Sequence, residues 1–197
     1  MKVLWIAGLA VALAGCKEGG SIRVSRFTAY PRDSGGCVLV ADLVATRDSS
    51  NVDVTMRACA GSDCSAVTRE MTEGPFLPGR PKTVQFDVAG CPASPDRVEV
   101  EVHRWGSPNN ALSQVTLVRE ERAPSEGGGC DVRVVLQRGE PIIGDALVFL
   151  VARDTEGRPL DRTLPFQLAP TPGPSGHSNS FVPACESVAT VEVQVVT

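Results

Sequence analysis

Histidine, lysine and aromatic residues are scarce in this chain of 197 residues. His103 and His177 are its 2 histidines, which leaves little material for a histidine-based metal or acid–base centre. Lys2, Lys17 and Lys82 are the lysines among 19 basic residues, and the other 16 are arginine. With 23 acidic residues the net charge is -4, and no basic stripe suited to nucleic acid is present. Aromatic residues make up 5% of the chain, too few for a broad polysaccharide-gripping face. After residue 15 no window sustains a 3.6-residue apolar period, and no apolar run reaches the ~20 residues of a membrane-spanning helix. GxSxG, HExxH, Walker and helix-opening GxGxxG patterns are missing. The sequence therefore leads us to expect no catalytic residues, no metal site and no cofactor.

Turn formers and β formers are abundant instead. The 19 glycines and 15 prolines punctuate short runs rich in Val, Ile and Thr, and 42% hydrophobic residues suffice for a core. The chain opens with MKVLWIAGLAVALAGC. Lys2 supplies a positive start, and Val3 to Leu13 form an apolar stretch too short to cross the ~30 Å hydrocarbon layer. Leu13-Ala14-Gly15-Cys16 resembles the lipobox of bacterial lipoproteins. The resemblance implies that residues 1–15 are a signal peptide cleaved before Cys16. It also implies a diacylglyceryl thioether on the Cys16 sulfur and an acyl chain, such as palmitate, on the new amino group. Residues 16–20 would then be a short lipidated linker, and the membrane a partner through the anchor. Lys17 is similar to the residue that follows the lipidated cysteine in outer-membrane lipoproteins, which implies an outer-membrane location in the cell envelope.

The remainder reads as one unit written twice. Cys37 to Cys91 spans 54 positions and Cys130 to Cys185 spans 55, and each first cysteine follows glycines. Val98-Glu99-Val100-Glu101-Val102 matches Val191-Glu192-Val193-Gln194-Val195 at a shift of 93. Val52, Val54, Met56 and Ala58 match Ala146, Val148, Leu150 and Ala152 at a shift of 94. The alternation predicts strands near 21–29, 37–45, 51–59, 64–71, 82–88 and 97–104, then near 113–121, 130–137, 145–153, 159–168, 178–183 and 188–196. In the last strand of each copy the valines should face inward, with Glu99, Glu101 and Glu192 toward water. Asp145 to Ala152 is apolar on both faces, so it should be central or partly covered by the other copy. The expected fold is all-β, with one β-sandwich over 21–106 and a second over 111–197, joined through Gly106-Ser107-Pro108-Asn109-Asn110. In size, strand number and cysteine spacing the arrangement resembles tandem immunoglobulin-like domains.

With Cys16 assigned to lipid, six cysteines remain, and an exported chain meets oxidising conditions. The second copy holds only Cys130 and Cys185, so these should pair, and the repeat then pairs Cys37 with Cys91. Cys59 and Cys64 are left to staple a four-residue turn, where the second copy has Arg153-Asp154-Thr155-Glu156-Gly157-Arg158.

Binding candidates are few. Trp105 is the sole tryptophan after Cys16 and falls at the junction, where it would either pack between the copies or stack on a sugar. Both copies carry a Pro/Gly-rich loop at one position, with Phe76 and Leu77 as an exposed contact patch in the first and His177 in the second. His103 and the Glu99/Glu101 pair read as the wet face of a strand, and Asp48, Asn51 and Asp53 as a turn with Asx hydrogen bonds. The function expected is that of a non-enzymatic, membrane-anchored envelope lipoprotein, a structural or protein-interaction module with an envelope protein partner. The alternative is a carbohydrate- or cell-wall-binding lipoprotein that takes a glycan through Trp105 and the Pro/Gly-rich loops.

Overall fold

The computed structural model describes residues 20–32, 35–108, 114–139, 146–170 and 173–196. The expected signal peptide, Cys16 and part of the expected linker between copies lie outside those residues. The fold is all-β, and every strand pairing is antiparallel.

The first half contributes β1 (Ile22–Pro31), β2 (Gly36–Ala45), β3 (Ser49–Ala60), β4 (Asp63–Cys64), β5 (Thr68–Phe76), β6 (Pro81–Ala89) and β7 (Arg97–Trp105). One sheet runs β1-β2-β6; in the other β3 pairs with β4, β5 and β7. The second half contributes β8 (Val115–Pro124), β9 (Cys130–Arg138), β10 (Ala146–Arg153), β11 (Pro159–Arg162), β12 (Phe166–Leu168), β13 (Pro174–Phe181) and β14 (Thr190–Val195). Its sheets follow the same plan. One is β8-β9-β13, and in the other β10 pairs with β11, β12 and β14. The repeat in the sequence is thus a repeat in topology.

Period-two alternation explains the cores. Cys37, Leu39, Ala41, Leu43 and Ala45 on β2 meet Val52, Val54 and Met56 on β3, with Val84, Phe86 and Val88 of β6 closing the first core. Val132, Val134 and Leu136 on β9 meet Val148, Leu150 and Ala152 on β10 in the second. Burying such side chains between two sheets is worth roughly 1.5–3 kcal/mol each.

Three disulfides join Cys37 to Cys91, Cys59 to Cys64 and Cys130 to Cys185, the pairs expected from the repeat. Cys59 and Cys64 sit directly opposite each other in the β3–β4 ladder. At the equivalent place the second half closes its turn with Asp154. Its Oδ1 accepts from the backbone nitrogens of Glu156 (2.9 Å) and Arg158 (2.8 Å), and its Oδ2 from Arg158 Nε at 2.7 Å. Each turn uses one left-handed glycine, at a different place: Gly61 directly follows Ala60 at φ 57°, and Gly157 ends the other turn before Arg158 at φ 73°.

Five expectations need correction. The strand expected over 64–71 is instead the short β4 and then β5 at Thr68–Phe76, which takes in the start of the expected Pro/Gly-rich loop. The strand expected over 159–168 is broken into β11 and β12 around Thr163, Leu164 and Pro165, because Pro165 supplies no ladder donor. Glu192 faces water only in part: its side chain is 40% exposed, and its Oε2 accepts a hydrogen bond from Arg153 Nε at 2.5 Å at the rim of the seam. Phe76 is no exposed patch, for it ends β5 inside the first core at 0% exposure. His177 stands in β13 rather than in a loop, since Pro174 begins the strand and leaves the Pro/Gly-rich connection shorter than expected.

Candidate functional site

Two places gather polar side chains in unusual settings. The first is the seam between the halves, where the outer face of β2 and β6 meets the outer face of β10 and β14. Asp42 interrupts an apolar strand and is 2% exposed, while Arg153 ends β10 at 8%. Arg153 donates to both Asp42 carboxylate oxygens, at 2.7 Å and 3.2 Å. Thr83 Oγ1 donates to Asp42 at 2.7 Å and accepts from Gln194 Nε2 at 3.1 Å. The Thr83 backbone nitrogen donates to Gln194 Oε1 at 2.9 Å. Burial works against the charge on Arg153, but Asp42 and Glu192 outweigh it and raise its pKa. This is a buried ion pair with satisfied hydrogen bonds, an arrangement that sets geometry more than it adds stability.

Beside it, Lys82 is buried and donates to the carbonyls of Gly74 and Val195, both at 2.9 Å. Its ammonium lies 4.6 Å from the Phe149 ring centre, and the Arg162 guanidinium 4.5 Å from the same ring. Burial first, and then the Arg162 charge, bring the Lys82 pKa down to about 7 against the pull of Glu73. Phe149, Val151 and Val196 form a small apolar cluster of their own here. Farther along the seam Arg26 donates to the Gly157 carbonyl at 2.9 Å, and Tyr30 packs on the second core. Burial and the nearby Asp161 and Asp154 charges push the Tyr30 phenol up to about 12. The expectation that β10 is partly covered by the other copy thus has its explanation in the seam.

The second place is the Trp105 end of the first half. Trp105 closes β7 opposite Val52 and packs against the first core, with Arg47 5.1 Å over its ring. It does not pack between the halves, because the strand that carries it pairs with β3, on the side away from the seam. A shallow hollow beside it is lined by Ser50, Asn51, Met71, Arg104, Trp105 and Ser107. Phe76 pairs with Ser49 at the start of the same β3 strand, but its ring points into the core. Leu77 is half-buried, and its carbonyl accepts from Arg80 at 3.0 Å in a turn at this end.

His177 lies in the other half and joins none of these residues. Its ring centre is 4.7 Å from that of Phe166, and its Nε2 is 3.0 Å from Ser175 Oγ. Burial lowers its pKa. Ser175 is exposed and two residues away on an edge strand, so the contact is a surface hydrogen bond. His103 is exposed, with Nε2 3.1 Å from Thr55 Oγ1. Among the described residues, Cys59, Cys64 and Glu99 bring potential metal-ligand atoms together, but the two sulfurs are bonded to each other and offer no thiolate.

The sequence offered a signal for the seam that went unused. Asp42 stands alone within Val38-Leu39-Val40-Ala41-Asp42-Leu43-Val44, and a lone charge in an apolar strand asks for a buried partner. Arg47 and Asn51 beside Trp105 had no such signal, because they come from a turn and a strand far from it in sequence. In comparisons with known proteins, no family model, no curated protein and no solved structure matches the chain.

Proposed function

We propose that the protein is a non-enzymatic lipoprotein of the cell envelope, held to the outer membrane through lipid on Cys16, and that it serves as a rigid structural or protein-interaction module. Its two halves are proposed to be immunoglobulin-like domains over 21–106 and 111–197. The observation that carries this reading is the seam. A buried Asp42–Arg153 pair completed by Thr83 and Gln194 fixes one sandwich on the other, as suits a spacer or docking platform and not a flexible tether. Leu164 and Val182, at 85% and 86% exposure, are the apolar side chains offered to an envelope protein.

Two experiments test it. Metabolic labelling with palmitate should mark the wild type and fail for Cys16→Ala; labelling of the variant would refute the anchor. Crosslinking in intact envelopes followed by detergent extraction should recover one specific protein, and the yield should fall at least tenfold for Leu164→Asp combined with Val182→Asp. Undiminished recovery would remove that surface from the proposal. The polar hollow at Trp105 favours a second reading, in which the module binds a cell-wall glycan. Glycan-array binding lost in Trp105→Ala would support it.

A further inference from the structure

We propose that the Trp105 end of the first half rests on an anionic lipid surface, so that the protein stands on the membrane in one orientation. The inference rests on the Cys16 anchor proposed above. Four peptide steps separate Cys16 from Gly20, a reach of at most ~14 Å. Gly20 is not free to carry the anchor elsewhere. A Cβ at this residue would lie 2.5 Å from Arg47 Cδ and 2.9 Å from Trp105 Cζ2, so the chain crosses the tryptophan ring at a distance only glycine allows. The next residue is pinned as well. The Ser21 nitrogen donates to Thr46 Oγ1 at 2.8 Å, and its carbonyl accepts from the Thr46 nitrogen at 3.0 Å.

The loops that surround this exit form one end of the sandwich. Gly79 N donates to Ala45 O at 3.0 Å, Ser50 N to Ser107 O at 2.7 Å and Gly106 N to Asn51 O at 2.9 Å. Arg23, Arg47, Arg80 and Arg104 lie in or next to these segments, against Asp48, Glu73 and Asp53, the last of which is ion-paired with Arg69, although the chain as a whole is acidic. Arg80 and Arg104 are exposed. Guanidinium groups bind phosphate oxygens in a bidentate fork, and an indole favours the headgroup layer of a bilayer. A tether of this reach keeps the arginines close to the lipid phosphates, where screening over ~8 Å still leaves attraction.

Trp105 reports on its own surroundings, because no other tryptophan follows Cys16. The full-length lipidated protein is reconstituted into vesicles of phosphatidylcholine and phosphatidylglycerol, with and without a spin label on the headgroups. The label should quench Trp105 emission at least twofold, and Arg80→Glu combined with Arg104→Glu should restore most of it while leaving the Arg47–Trp105 contact intact. Protein that floats with the vesicles but keeps its emission is anchored without docking, which overturns this inference and spares the anchor. Protein that does not float overturns the anchor and the inference together. Emission blind to the lipid label but altered by soluble peptidoglycan fragments gives the face to a glycan and overturns the lipid assignment.

Discussion

The two halves share inner faces and differ in outer ones. On β3 the outward positions are Asp53, Thr55 and Arg57; at the same register of β10 they are Leu147, Phe149 and Val151. Phe149 and Val151 are buried at 1% and 0%, whereas Arg57 is exposed and ion-paired with Glu99. The other sheets divide in the opposite sense. β2 turns Val38, Val40 and Asp42 outward, and β9 turns Asp131, Arg133 and Val135 outward. The first half therefore contributes its β1-β2-β6 face to the seam and the second its β10-β14 face. Inner residues make each sandwich; outer residues decide which face of one meets which face of the other. The charged outer positions of β3 and β9 leave those two faces unlike the seam.

This contrast can be broken by matched substitutions. The largest effect should come from Asp42→Ala, which strands the Arg153 guanidinium in the seam. Urea unfolding should show a loss of about 3–5 kcal/mol. A loss no greater than that of a surface pair would mean that water reaches the seam.

Lys82 gives the next largest effect, as a dependence on pH. Its folded pKa of about 7 lies below the ordinary 10.5, so between these values the unfolded chain binds the extra proton. Stability should rise with pH above 7, by up to ~1.4 kcal/mol per unit through pH 9.5. Below pH 7 the penalty for burying the charged amine is fully present. Lys82→Met should flatten the profile, and an unchanged slope in that variant would assign the titration to another group.

Removing the staple that only the first half has should cost less. Cys59→Ala with Cys64→Ala should lower stability by about 2 kcal/mol, the chain-entropy value for so short a loop. A negligible loss would show that a hydrogen-bonded turn of the Asp154 kind serves equally well. The smallest effect belongs to the open face of the first half, where Glu99→Ala should cost under about 1 kcal/mol and less in high salt. Thermal melts at two salt concentrations would check it.

What the sequence disclosed follows from how local each determinant is. Alternation over five to nine residues marks the inner faces, and the cysteine spacing marks the repeat, so both were legible without coordinates. The breadth of apolar character in β10 also pointed to cover on both sides. Phe76 misled because Gly74 and Pro75 before it carry no alternation by which to assign a face. His177 misled because glycine, serine and asparagine in β13 have turn-like composition although β9 pairs with them throughout. The Arg153–Asp42 pair joins residues 111 positions apart, and no periodicity spans that distance.

Tyr30 adds a consequence for the order of assembly. It belongs to the first half by sequence, yet its ring sits on the second core. An exported chain emerges across the membrane N-terminus first, so the first half can close while the second is still being translocated. If the first half closes first, Tyr30, Val38 and Val40 would lie bare on a finished sheet and would offer a surface on which β10 and β11 are laid. The second half would thus mature on a surface supplied by its elder copy, and a chain stalled between the two would leave that surface open to whatever apolar strand arrives first.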